Sequence, residues 1–518
     1  MAPPPANANL YAAFAEAFRR VPNQTAFQSP GVAPVTYGAL HDKAERLAGA
    51  MVAAGIKPGD RVMVQAEKSI EQVVLYLATL KAGAVYNPLN TAYTPSELAH
   101  FIADAEPRLV VAPAARLAEI GTLAWHHGAT GLWSLEADGS GELTERARAS
   151  APMASTCLRE PDDLASLIYT SGTTGRSKGA MLSHGNLASN ARTLLDIWGF
   201  VPGETLLHAL PIYHVHGLFV ALNTAFLNGS RMHWLDRFDV ARVLTLLPDS
   251  DVMMGVPTFY TRLLAEPVFA ADHCRRMRLF ISGSAPLLAE THEAFTARTG
   301  HRILERYGMT ETGMITSNPL TGERVAGSVG YALPGVAVRI GGHYFAQADD
   351  GRELPRGEVG GVELNGPNVF QGYWRLPDKT RAEFRPDGYF ITGDQGIMAP
   401  DGRLTLVGRA KDMIISGGLN VYPAEIEQEL STIAGIGEAA VVGVSHPDFG
   451  EAVIAVLTPV GANPPDEAAI LARLSGRLAK FKQPKRIFMV AELPRNAMGK
   501  VQKAELRKVY GETFKGKS

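Results

Sequence analysis

Cysteine is nearly absent: Cys157 and Cys274 are the only two in 518 residues. Two thiols cannot build a disulfide framework, and each reads as a small buried hydrophobe. Neither sign of charge is in excess. Fifty basic residues face fifty-two acidic ones, a net charge of −2. That balance excludes a polybasic nucleic-acid binder or membrane-surface protein at the level of the whole chain. Long apolar runs are missing too. The best, Val73 to Leu80, is eight residues long, contains Thr79 and ends at Lys81, whereas a membrane span needs about 20. It reads as a buried helix. The opening MAPPPANANLYAAFAEAF has no basic n-region and no apolar h-region, so the expectation is no secretory signal and a cytoplasmic protein. Its Pro/Ala-rich part is expected to be mobile up to Leu10. No repeat with a period of about 20–50 residues is visible, which argues against a solenoid or propeller.

What is present is ordinary globular composition, 46% apolar and 20% charged. Single hydrophobic cores stop growing at about 250–300 residues, so the length implies several subdomains. Leu40, Ala44, Leu47 and Met51 fall at helical spacing. Gly55 and Pro58 stop that helix, and Arg61-Val62-Met63-Val64 follows as a buried strand. Thr94-Pro95-Ser96-Glu97 opens another helix with capping chemistry, and Pro107 to Val111 reads as the next strand. Alternation of this kind predicts α/β layers with mainly parallel sheets. Beyond about residue 360, Gly-punctuated strands and turns at Pro386-Asp387-Gly388 and Pro400-Asp401-Gly402 predict a β-rich subdomain. After about 408 the order strand, helix (423–430), strands (439–444, 452–457), helix (466–478), strand (486–490) predicts a small α+β domain. The fold class is therefore α/β. Residues 1–408 would form a large N-terminal domain, and 409–518 a small C-terminal one.

Chemistry concentrates first in Thr170-Ser171-Gly172-Thr173-Thr174-Gly175-Arg176-Ser177-Lys178-Gly179. Glycines let backbone N–H groups approach phosphate oxygens, and a lysine supplies a point charge. A Walker A loop is excluded, because Ser177 stands where that spacing needs Gly. This segment resembles the signature loop of the adenylate-forming superfamily of acyl- and aryl-CoA synthetases, luciferases and peptide-synthetase adenylation domains. Ser177 replaces the Pro usual there. Four more segments follow in that superfamily's order: Glu305-Arg306-Tyr307-Gly308-Met309-Thr310-Glu311, Tyr389 to Asp394, Gly408-Arg409-Ala410-Lys411-Asp412, and Pro494 to Lys500. Taken singly, Asp394 would close a turn, Glu311 would serve a helix dipole and Lys500 would be one more exposed lysine. Their joint order makes them a site.

The resemblance implies a ligase that attacks the α-phosphate of ATP with a carboxylate, forms acyl-AMP and then transfers the acyl group to coenzyme A. It implies ATP contacts from Thr170, Ser171, Gly172, Thr173, Thr174, Gly175, Lys178, Gly283, Ser284, Ala285, Glu305, Arg306, Tyr307, Gly308, Met309, Thr310, Asp394 and Arg409. It places Mg²⁺ at Glu311 and Thr174, makes Lys500 the catalytic cation, and puts a hinge at Lys411, where many relatives have Asp. The C-terminal domain would be mobile about that hinge.

For the acid, two segments matter. His214 and His216 in Pro211-Ile212-Tyr213-His214-Val215-His216 would share one face if extended. Without further ligands at metal spacing they read as pocket histidines rather than a zinc pair. Arg262, one helical turn after Thr258, is either a solvent-facing helix residue or a fork for a second carboxylate, with Ser284 assisting. Together with His208-Ala209-Leu210 and Arg477 to Lys482, these segments most resemble the malonate-activating branch, with methylmalonate a second candidate acid. The partner implied is a small carboxylate, with no nucleic acid or membrane, in a monomer or weak homo-oligomer. Alternatives are a short/medium-chain or aryl acyl-CoA ligase, a stand-alone adenylation domain loading a carrier protein, and a nucleotide-binding regulator with dead chemistry.

Overall fold

The computed structural model describes residues 7–514 except 171–176, 343–351, 417–418, 447–448, 462–463, 476 and 497–498. Two large sheets carry the N-terminal part. One has six strands in the order Gly131–Ser134, Leu109–Ala112, Arg61–Val64, Val85–Pro88, Leu164–Thr170, Lys178–Ser183, all parallel except the last pair. The other has nine. Its parallel centre runs Leu304–Met309, Leu279–Ser282, Val252–Gly255, Thr205–His208, Arg231–Trp234, Thr25–Gln28.

The helices form where the apolar periodicity requires them. Tyr37–Ala53 buries Leu40, Ala44, Leu47 and Met51 on one stripe. Pro95–Ala105 starts with a complete capping box, in which the Thr94 side chain accepts from Glu97 N and the Glu97 side chain accepts from Thr94 N; the reciprocal bonds satisfy two donors that a helix start leaves open. Ile70–Lys81 is buried on every side from Gln72 onward, as an apolar-all-round helix between layers must be. Lys81 does not break it: the ammonium stays buried because it pairs with Glu45 at 2.9 Å.

Two expectations need correction. Residues 7–9 are not loose, since Asn9 caps Leu10–Arg20 and donates to Leu80 O at 2.7 Å; residues 1–6 lie outside the described residues. Cys157 is half-buried, and only Cys274 is fully buried.

The β-rich part is an antiparallel sheet of Ala337–Gly341, Val359–Asn365, Phe390–Met398 and Leu404–Arg409. A 3₁₀ turn, Ala410–Asp412, leads out of it. Beyond lies a separate sheet, Leu419–Val421, Ile414–Ser416, Gly450–Pro459 and Ile436–His446, with Arg486–Met489 paired to Gly450–Pro459. Helix Pro423–Ser431 and helix Glu467–Ser475 pack there. Its apolar clusters, around Val441 and around Val442, contain no residue before Ile414. Separate apolar cores therefore lie on the two sides of that turn, two clusters before it and two after it.

In the nine-stranded sheet the chain goes from Thr205–His208 to Arg231–Trp234 on one side, then to Val252–Gly255 on the other. That reversal opens a crevice at the carboxyl ends of the strands, where open α/β sheets place their ligands.

Candidate active site

Four loops leave that edge of the sheet: residues 209–217 after His208, residues 256–258 after Gly255, residues 283–288 after Ser282, and residues 310–312 after Met309. His214, Ser284 and Glu311 lie on them, while Glu305 and Arg306 lie on the strand Leu304–Met309 that leads into the last.

The phosphate side is built from two hairpins. Thr170 and Lys178 pair across the mouth of the Gly-rich loop; Ser171, Gly172, Thr173, Thr174 and Gly175 lie outside the described residues. Lys178 Nζ pairs with Glu383 Oε1 at 3.2 Å and stands 4.1 Å from the centre of the Tyr373 ring. Tyr373 Oη lies 3.0 Å from Glu311 Oε1 and 2.7 Å from Glu383 Oε2. Thr170 Oγ1 reaches Glu311 Oε1 at 3.5 Å. Burial raises the Glu311 pKa above its ordinary range. Its backbone is pinned as well, for Phe370 N donates to Glu311 O at 2.8 Å. Gly308 lies close against Gly313 O, where a Cβ would sit 2.2 Å away, so the turn carrying Thr310 and Glu311 folds tightly. Tyr373 and Glu383 were not legible as site residues, because their partners stand 62 and 205 positions away.

At Asp394, the Tyr307 hydroxyl donates to Oδ2, and Arg409 Nε pairs with Oδ1 at 2.6 Å. Asp394 is 5% exposed, and its backbone N–H is taken by Thr392 Oγ1 at 3.0 Å. A carboxylate with two fixed donors is oriented, not merely present.

Lys500 comes from the C-terminal domain into the same cleft. Its surface is open to solvent, yet surrounding protein mass strips water from the ammonium and pushes its pKa down to about 8; Arg409 adds repulsion and Asp394 opposes it. Gly499 lies beside Thr258, with 3.7 Å between a Cβ there and Thr258 Oγ1. Lys411 sits in the 3₁₀ turn between the two sets of clusters, next to Asp412, which Arg507 holds at 2.7 Å.

The acid side overturns one expectation. Arg262 is exposed, together with Thr261. Helix Pro257–Ala265 buries Phe259, Tyr260 and Leu263 instead, and packing of those three turns Arg262 to water. The buried cation beside the 283–288 loop is Arg306, 2% exposed. Its Nε and Nη2 have no hydrogen-bond partner among the described residues. Its guanidinium lies against Gly283, where a Cβ would be 2.3 Å from Nη1. Burial pushes its pKa down to about 9, with Tyr260 and Glu305 opposing, so it remains a cation at neutral pH.

Around it, His216 Nδ1 meets Ser284 Oγ at 3.3 Å, while His214 Nδ1 and His216 Nε2 are buried without partners among the described residues. Burial pushes His214 down to about 3, with Lys500 and Arg306 adding to the shift. His216 is depressed by burial and then Arg306. Both imidazoles are therefore neutral at pH 7 and can only hydrogen-bond. Ser284 holds φ 72, a strained backbone for a residue with a side chain. Gly283 and Ala285 flank it. Glu305 is pushed up to about 8 by burial; its Oε1 accepts from Leu287 N at 3.2 Å and its Oε2 has no partner among the described residues. It buttresses the 283–288 loop.

No group of three or more His, Cys, Asp or Glu at metal spacing occurs among the described residues. Magnesium needs none, since it takes one or two carboxylates plus phosphate oxygens and water. Glu311, a buried carboxylate destabilised by burial and facing a hydroxyl, fits that requirement.

These parts, Lys178 linked through Glu383 and Tyr373 to buried Glu311, a clamped aspartate and Lys500 in the same cleft, are those of an enzyme that activates a carboxylate with a nucleotide. The chain belongs to the AMP-binding enzyme family, which matches residues 14–374, with that family's C-terminal domain at residues 425–500. Among solved structures it is similar to ATP-bound MatB of Rhodopseudomonas palustris, at 51% identity and a TM-score of 0.94, covering 98% of this chain and 100% of that one. Among characterised relatives it is 35% identical to a feruloyl-CoA synthase of Amycolatopsis, covering 95% of this chain and 97% of that protein. It is also 35% identical to the malonate–CoA ligase of Arabidopsis thaliana, covering 88% and 78%.

Proposed function

We propose that this protein joins malonate to coenzyme A, using ATP and Mg²⁺, through malonyl-AMP, with AMP and pyrophosphate as by-products. One observation carries the choice of acid: Arg306 is a buried guanidinium with two N–H-bearing atoms unpaired. An unpaired charge in a water-poor pocket is penalised by several kcal/mol. The cation is therefore tolerated only if the ligand brings an anion, and the distal carboxylate of malonate is one. Ferulate and unsubstituted fatty acids bring none. The kinship to malonate–CoA ligase and MatB supports the same reading.

The reaction has two steps. In the first, one malonate carboxylate oxygen attacks the α-phosphorus and the bond to the β-phosphate breaks. Charge gathers on oxygens that already repel one another. Lys500 supplies a positive charge where it gathers, Lys178 one toward the leaving phosphates, and Arg306 holds the unreacting end of the acid. What magnesium supplies when bound is neutralisation of phosphate charge, with Glu311 and Thr174 to hold it. Asp394, held by Tyr307 and Arg409, orients the ribose. In the second step the thiolate of coenzyme A attacks the acyl carbon and AMP leaves. The charge released there passes to the phosphate oxygen of the departing AMP, no pyrophosphate is expelled, and in this reading the C-terminal domain turns about Lys411 so that Lys500 serves the first step only.

The division at 408/409 is part of this reading, supported by the separate apolar clusters on either side. So are a cytoplasmic location, an absence of nucleic-acid binding, supported by the net charge of −2, and a monomeric or weakly homo-oligomeric state. No helix of the described residues is long and apolar enough to cross a membrane.

The test is ATP–pyrophosphate exchange over malonate, methylmalonate, sulfoacetate, butyrate and ferulate. Malonate is expected to lead. Ferulate or butyrate ahead of it would overturn the reading, and sulfoacetate ahead would keep a dianionic acid but reject malonate.

A further inference from the structure

Lys68 is a half-buried lysine that the reaction does not use. Its Nζ lies 2.6 Å from Leu235 O, 3.0 Å from His208 O and 2.9 Å from His208 Nδ1. It also stands 4.0 Å from the centre of the Trp234 ring. Among the described residues no carboxylate forms an ion pair with it; Asp236, which it senses at longer range, is paired with Arg242. His208, 1% exposed, places its other ring nitrogen, Nε2, 2.9 Å from Gly217 O.

This geometry has one consistent proton arrangement. Gly217 O is a carbonyl and only accepts, so His208 Nε2 must carry hydrogen. In a neutral ring Nδ1 is then an acceptor, and the group facing it must donate. Burial and the nearby Lys68 keep the His208 ring neutral; Lys68 also faces two carbonyls, so it needs three N–H bonds, which only the ammonium has, and these three acceptors oppose the loss of water that lowers its pKa. The chain thus reads Lys68 Nζ–H to His208 Nδ1, and His208 Nε2–H to Gly217 O.

Gly217 is where the pocket loop enters a π-helical segment, His216–Leu222, a geometry that recurs at functional sites. The entry is tight: a Cβ at Gly217 would lie 2.1 Å from Pro211 O. Between those two contacts run His214 and His216, the imidazoles with unpartnered nitrogens. We infer that Lys68 and His208 are positioning residues for the acid, an ammonium–imidazole relay that fixes Gly217 and through it aims His214 and His216 into the pocket. The inference rests on the assignment of that pocket to the acid, not on which acid it takes. Neither residue lies on the nucleotide side, so their loss should be felt in acid binding alone.

The experiment uses the full-length enzyme in two measurements. In the first, KM for ATP and KM for the acid that wild type uses best are compared in wild type, Lys68→Met and His208→Gln. A rise of about tenfold or more in KM for the acid, with KM for ATP changed less than about twofold, is expected for both variants. An unchanged acid KM, or equal rises in both constants, overturns the inference. In the second, ¹⁵N-histidine spectra assigned with His208→Gln read the wild-type tautomer of His208, so the inference is decided even if Lys68→Met fails to fold. A protonated Nε2 beside a bare Nδ1 is expected, and a protonated Nδ1 overturns it. A preference for an acid other than malonate would reject the malonate reading while leaving both measurements of the relay intact.

Discussion

Gly283 and Arg306 are in contact: a methyl group at position 283 would occupy the space of the Arg306 guanidinium, 2.3 Å from Nη1. The glycine is therefore a steric condition for the cation to reach the pocket. Gly283→Ala should displace the guanidinium. A misplacement of about 1 Å costs on the order of 10²-fold, and kcat/KM for malonate should fall by that order. Butyrate, which needs no cation, should fall less. Equal losses for the two acids would show that Gly283 serves the loop and not Arg306.

Removing the cation itself gives the sharper contrast. Arg306→Met should cost malonate use about 2–5 kcal/mol, the range for truncating one member of a buried charged pair, or roughly 30- to 4,000-fold in kcat/KM. Butyrate activity should hold or rise. The free enzyme should lose no thermal stability, because an unpaired buried charge is replaced by apolar volume. A malonate-to-butyrate ratio unchanged from wild type would remove Arg306 from acid recognition; a large fall in Tm would make it a structural residue.

Arg262 serves as the internal control. It is exposed, and surface substitutions of this kind stay within about 0.5 kcal/mol. Arg262→Ala should leave both acids near wild-type kcat/KM. Selective loss of malonate would restore Arg262 to the pocket.

Lys500 must be charged to act, and its pKa in the free protein is pushed down to about 8 by burial. The active form is the protonated one, present below that value and lost as pH rises through it. Adenylation kcat/KM, which reports the free enzyme, should therefore decline above about pH 8. Phosphate charge in the bound complex favours the ammonium, so kcat should hold to higher pH. Lys500→Ala should lower acyl-AMP formation on the order of 10²–10³-fold and spare thioester formation from supplied acyl-AMP. Equal loss in the two half-reactions would reject the role.

Lys411 lies in a 3₁₀ turn, whose φ of roughly −50 to −70° matches that of proline. Lys411→Pro should keep the arrangement seen here, with Lys500 in the cleft, and restrict rotation away from it. Thioester formation should slow more than adenylation. Wild-type rates for both steps would place the hinge elsewhere.

Much was determined by sequence alone. Helix 37–53, the capping box at Thr94 and Glu97, and the alternation of buried strands follow from local periodicity and capping chemistry, which need no distant partner. The nucleotide motifs were legible for the same reason: each is a short run with its glycines, hydroxyls or charges in one loop. The acid pocket was not. Arg262 stands at a plausible helical spacing, but which side of Pro257–Ala265 is buried depends on what packs against Phe259, Tyr260 and Leu263. Arg306 sat inside a motif read as nucleotide-binding, on a strand buried along its first residues, where alternation does not reveal which side chain faces a ligand. The relay from Lys68 to His208 spans 140 positions, and the Glu311–Tyr373 contact spans 62. Only the tertiary structure decides such pairs, because a buried charge takes its partner from whatever the packed layers bring within about 3 Å, however far off in the chain.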